Sequence, residues 1–116
     1  MGLIYHIASG ADWERARREG VYTTSTRGRS LAEEGFIHAS RAHQVAAVAD
    51  AFYASDRDLL VLVIDEDRVE PEIRYEDVPG GEEPFPHIYG PLDVTAVLRT
   101  VPFAPGPDGR FRFGEA

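Results

Sequence analysis

Cysteine is absent from the 116 residues, which excludes disulfides, thiolate metal ligands, iron–sulfur clusters and a cysteine nucleophile. The fold must stand on packing alone. Lysine is absent too: all 12 basic residues are arginine, so a Schiff-base lysine and a P-loop lysine are excluded. No window approaches the roughly 18 apolar residues of a membrane-spanning helix, and the chain passes from Met1 into a strand-like run with no basic start. The expectation is a cytoplasmic protein with no membrane partner. Positive charge is scarce, with 20 acidic residues against 12 basic ones and a formal net charge of -8. A general nucleic-acid binder shows the opposite balance, because it must neutralise phosphates. A local arginine cluster still suffices to hold one phosphate, and no macromolecular partner is indicated.

What is present has ordinary globular proportions, 43% hydrophobic and 28% charged, in a length that suits one domain. The expected fold class is α+β: a small single domain over residues 1–103, with one sheet and two or three helices, and a Pro/Gly-rich tail over 104–116. Leu3–Ala8 reads as a first strand. Ser9, with Asp12 three residues on, opens a helix that Gly20 terminates, with Trp13 and Ala16 facing the core. Thr23–Ser30 is polar and turn-rich and reads as a surface loop. Gly35–Ser40 reads as a second strand whose Ser40 caps the next helix, where Val45, Val48, Ala49 and Phe52 form a buried stripe.

The unbroken apolar run Leu59–Ile64 has the length and branching of a central strand covered on both faces. An acidic stretch with Pro71, Pro79, Gly80 and Gly81 follows, holding Ile73–Glu76 as an edge strand. His87–Gly90 and Ala96–Val101 read as the remaining strands. The tail is expected to be loosely held, with Phe111 and Phe113 as anchors.

Alternation of side chains across a strand puts Ile4, His6 and Ala8 on one face of the first strand and Phe36, His38 and Ser40 on one face of the second. His87 and Tyr89 fall together in the same way. Three of the four histidines thus lie among apolar neighbours, where an imidazole must find a partner or lose its charge. One reading makes each a satisfied core residue; the other gathers them around one pocket. A three-histidine metal site competes with both, since imidazoles suit zinc, iron, copper and nickel. No pair has the helical spacing His-x-x-x-His, so no metal ligand is assigned. Glu76 and Asp77 are candidates for a base or a supporting partner, or else solvated charges. A helix starting at Ser40 offers free N–H groups beside His38, with Arg27 and Arg29 placed to close over an anion.

Ile4-Tyr5-His6-Ile7, Trp13, Gly20, Gly35-Phe36-Ile37-His38-Ala39-Ser40 with Gln44, and Phe85-Pro86-His87-Ile88-Tyr89-Gly90-Pro91-Leu92 together resemble the bacterial family called domain of unknown function 952. The resemblance runs to about Phe103. That family is grouped by fold with the ADP-ribosyltransferase superfamily, which implies a split, mostly antiparallel sheet gripping NAD as substrate and chemistry of ADP-ribosyl or phosphate transfer. By that resemblance His6 contacts the nicotinamide ribose or a nearby phosphate, His38 and Ser40 line the same cleft, and the third motif falls at His87-Ile88-Tyr89-Gly90. The catalytic candidates are then His6, His38, His87 and, as the nearest acid, Glu76, with Tyr22, Arg27, Arg29, Ser40, Gln44 and Tyr89 as candidates to line the ligand. Where many ADP-ribosyltransferases carry a glutamate in the third motif, this sequence has His87 and Tyr89. A non-catalytic small-ligand or partner-binding domain that keeps the pocket is the alternative.

Overall fold

The computed structural model describes residues 2–79 and 81–114. Met1, Glu115, Ala116 and the Gly80 of the acidic turn stretch lie outside the described residues. Two three-stranded antiparallel sheets organise the chain. The first has the order β1 (Leu3–Ser9), β6 (Leu59–Asp65), β10 (Val97–Phe103), and the second β5 (Ile37–His38), β8 (Phe85–Ile88), β7 (Ile73–Glu76). Backbone hydrogen bonds between Tyr5 and Ser40 join them. Two smaller pairs complete the strands: β2 (Val21–Tyr22) with β9 (Leu92–Asp93), and β3 (Thr24–Thr26) with β4 (Arg29–Ser30). With three α-helices among the described residues this is an α+β fold.

Leu59–Ile64 forms most of the central strand of the first sheet. Val61, Leu62, Val63 and Ile64 have no exposed surface, because each face of β6 carries its own apolar cluster. Leu62 and Ile64 pack with Ile4, Trp13 and Ile88, whereas Val61 and Val63 pack with Tyr5, Val45 and Phe103. Each such burial stabilises by roughly 1.5–3 kcal/mol. Helix α1 (Gly10–Glu19) is capped as its sequence dictates: the Ser9 hydroxyl accepts from the Asp12 N–H, and Gly20 closes it at φ 86°, a left-handed angle glycine reaches without strain. Trp13 and Ala16 are buried. Ile73–Glu76 is the edge strand of the second sheet.

The structure corrects the expectations for Thr23–Ser30, Ser40, Phe52 and the loosely held tail, and adds a short helix. Thr23–Ser30 is a short hairpin, β3–β4, that turns at Gly28 (φ 75°). It is fixed by Ser25, fully buried, whose hydroxyl donates to the Phe36 carbonyl. A four-residue helix, α2 (Leu31–Glu34), precedes β5; it begins in a reciprocal Ser30/Glu33 capping box. Ser40 caps no helix. Its N–H donates to the Tyr5 carbonyl at 2.7 Å, the Arg41 N–H is taken by the Gln44 side chain at 2.8 Å, and after a 3-10 turn α3 runs only from Val45 to Phe52. Phe52 is 72% exposed, although Val45 and Ala49 of the same stripe are buried. The tail is not loose but folds back on the first sheet, held by the two expected anchors: Phe111 is buried, its N–H donating to Asp50, and Phe113 packs edge-on to Tyr5 and Phe103.

Candidate functional site

Pairing in the second sheet fixes which side chains meet. Ile37, Ile88 and Ile73 stand in one register row, and His38, His87 and Arg74 in the next. Neighbouring rows of a pleated sheet point to opposite faces, so the isoleucines supply the core and the polar row faces away from it. Phe36 and Tyr89, two residues along their chains, extend that outer face. The His87 ring stacks on Phe36 at 4.2 Å and meets His38 edge-on at 5.1 Å, and the Arg74 guanidinium lies 4.4 Å over the Tyr89 ring.

A carboxylate organises this row. Glu76 Oε1 accepts from His87 Nδ1 at 2.7 Å and from the Tyr89 hydroxyl at 2.5 Å. These two hydrogen bonds, Tyr89's first, hold the Glu76 carboxyl below its ordinary range, and the same bond pushes the Tyr89 hydroxyl up. A carboxylate only accepts, so His87 Nδ1 carries a proton. Its Nε2 is buried without a hydrogen-bond partner.

His6 is placed differently. Its Nδ1 bonds the His38 carbonyl and its Nε2 lies 2.8 Å from the Tyr22 hydroxyl. Because a carbonyl only accepts, Nδ1 must donate, leaving Nε2 to accept the Tyr22 proton. Burial pushes the imidazole down to about 4, so it is neutral at physiological pH with both nitrogens occupied. Burial likewise pushes the Tyr22 hydroxyl up. His6 and Tyr22 thus tie β1 and β2 to β5; neither has a free group for a ligand.

His38 is the histidine that stays available. Its side chain is 37% exposed, with Nε2 at 3.9 Å from Glu34 Oε1. Burial and the neighbouring His87 push its pKa down, against the opposing pull of Glu34. It lines a cleft of about 460 Å³ together with Ser40, Glu34, Arg27 and Arg29, and His6 lies at its base. Val48, Phe52, Val78, Pro79 and Phe85 supply the apolar walls. Gly28 turns the hairpin that carries both arginines. Arg27 pairs with Asp56 at 2.5 Å and Arg29 with Glu34 at 2.9 Å, and both guanidiniums remain more than half exposed.

Of the residues singled out in the sequence, His6, His38, Ser40, Arg27 and Arg29 share this cleft. His87, Glu76 and Tyr89 form the adjoining row outside its lining. Tyr22 faces a smaller neighbouring cleft of about 320 Å³, and Gln44 is spent internally, its amide donating to the Pro84 carbonyl. The anion site expected at a Ser40 helix start is absent, since the Ser40 and Arg41 N–H groups are both taken. Among the described residues no three His, Asp or Glu side chains group as a metal site. Phe52 stands with Phe85 in the cleft wall, although its stripe spacing assigns it to the core; it is the last residue of α3 and lies exposed.

The family described as Protein of unknown function (DUF952) matches residues 7–100. The chain belongs to this family. Among solved structures, the DUF952 domain is similar to the crystal structure of protein CC0527 from Caulobacter crescentus. The two are 30% identical with a TM-score of 0.81, over 95% of this chain and 93% of that one; a double mutant of CC0527 gives the same values. The solution NMR structure of CC0527 matches at 31% identity and a TM-score of 0.78, over 95% and 91% of the two chains. No curated protein matches the DUF952 domain. Among its described residues no helix is long and apolar enough to cross a membrane.

Proposed function

We propose that this DUF952 domain is a cytoplasmic protein that binds NAD or another ADP-ribose-type nucleotide in the His38 cleft, with the phosphates at Arg27 and Arg29. The observation that carries this reading is the convergence of two guanidiniums and a titratable imidazole on a cleft otherwise walled by apolar side chains, the usual composition of a small-molecule site. Each guanidinium has five N–H donors and gives only part of that set to its carboxylate partner, so phosphate oxygens can take the rest. The family's fold grouping with ADP-ribosyltransferases supports NAD or ADP-ribose as the nucleotide.

Calorimetric titration with NAD and with ADP-ribose tests the reading. Saturable binding is expected, weakened about tenfold or more in Arg29→Ala, the usual worth of a charge-assisted contact. No heat at millimolar ligand would overturn it.

A second reading, transfer, is favoured by the neutral His38 beside Glu34. In it the His38 imidazole takes the proton of a nucleophile attacking the ribose anomeric carbon, the C–N bond to nicotinamide breaks, and nicotinamide leaves with the bonding pair. The acid beside the ribose in this reading is Glu34, which lines the cleft, in place of the candidate Glu76. Nicotinamide released from NAD, and lost in His38→Ala, supports transfer. Binding without release leaves the protein a nucleotide-binding domain.

A further inference from the structure

We propose that the cleft selects phosphates that also carry an aromatic base, with Phe52 as the platform on which the base stacks. This rests on the nucleotide-binding reading above and adds which part of the ligand confers selectivity.

The cleft has two chemically distinct sides. The β3–β4 hairpin brings Arg27 and Arg29, both largely exposed, and the end of α3 brings Phe52 and Val48, with Phe85 and Pro79 lining the same space. An exposed phenylalanine alone needs no explanation. Phe52 differs in its placement: it closes an eight-residue helix whose Val45 and Ala49 are fully buried, and its 72% exposed ring lines the mouth of the cleft while the next residue, Tyr53, turns back into the core.

A ring-less phosphate satisfies the arginine side only and leaves the apolar side wet. A ligand that joins an anionic group to a planar ring covers both, and the charge of the hairpin orients it with its phosphate toward Arg27 and Arg29. Stacking of a base on one aromatic side chain is worth about a tenfold gain in affinity or more. Because every base has a π-face, the platform favours a base over none without choosing among bases.

The test compares AMP with ribose 5-phosphate, which share the phosphate and the sugar and differ in the base. In the intact protein AMP is expected to bind about tenfold more tightly or better. Phe52→Ala is expected to abolish that preference and leave ribose 5-phosphate affinity unchanged, Phe52→Trp to restore it, and Arg29→Ala to weaken both ligands together. Equal affinity for the two ligands in the intact protein, or a Phe52→Ala variant that weakens both alike, overturns the inference and leaves nucleotide binding standing. Binding of neither ligand, nor of ADP-ribose, overturns both.

Discussion

In the β1–β6–β10 sheet both faces of the central strand are covered, Leu62 and Ile64 on one side and Val61 and Val63 on the other. In the β5–β8–β7 sheet only the isoleucine row faces the core, and the outer face carries Phe36, His38, His87, Tyr89, Arg74 and Glu76. Both sheets are three-stranded and antiparallel. The first is filled by the needs of stability. The second has one face turned away from the isoleucine core, and there the polar and aromatic groups collect, with His38 reaching from that face into the cleft. Sites of this kind are placed by a scaffold and are distinct from it.

That contrast can be broken by substitution. The largest effect is expected in the first sheet: Leu62→Ala, at a residue with no exposed surface, should cost about 2–5 kcal/mol from lost burial and the cavity left behind, read as a lower urea midpoint at unchanged slope. If it costs under about 1 kcal/mol, the first sheet is not the stability centre.

Next comes the pH dependence contributed by His6, the histidine that serves the core. Its folded pKa of about 4 lies below the ordinary 6.5, so between those values the unfolded chain binds a proton that the folded chain refuses. Stability from this group is therefore complete above pH 6.5 and is lost as pH falls through 6.5 towards 4, by up to about 3 kcal/mol. His6→Gln, which cannot titrate, should flatten urea midpoints across that window. An unchanged profile would remove His6 from the core.

A smaller loss is expected for His87→Ala, about 1–3 kcal/mol from the buried ring and its hydrogen bond to Glu76. Glu76→Gln should perturb stability less than His87→Ala, because the carboxylate is partly solvated. The smallest effect belongs to the cleft rim: Arg27→Ala removes an exposed ion pair with Asp56 and should change stability by less than about 1 kcal/mol while weakening nucleotide binding. A large stability loss there would blur the line between scaffold and site.

Legibility in the sequence followed the same division. The central strand was plain in Leu59–Ile64, and α1 in Ser9, Asp12 and Gly20, because burial on both faces and helix caps each leave a local pattern. The capping box at Ser30 and Glu33 was equally local, but the polar run around it masked the short helix it starts. The bond from Ser40 to Tyr5 joins residues about 35 apart in sequence, which no local period encodes. The alternation rule found the faces of His6 and His38. It could not tell that the first is spent on Tyr22 and a carbonyl while the second stays open, since that depends on what packs across from each.

The proposed nucleotide site is the His38 cleft and no other surface of the described residues. Backbone and side-chain NMR shifts followed during an ADP-ribose titration test it directly. Saturable shifts are expected at Arg27, Arg29, His38 and Phe52, with Val61 and Val63 unmoved. Shifts confined to the smaller cleft at Asp56–Leu59, or none at millimolar ligand, would contradict it.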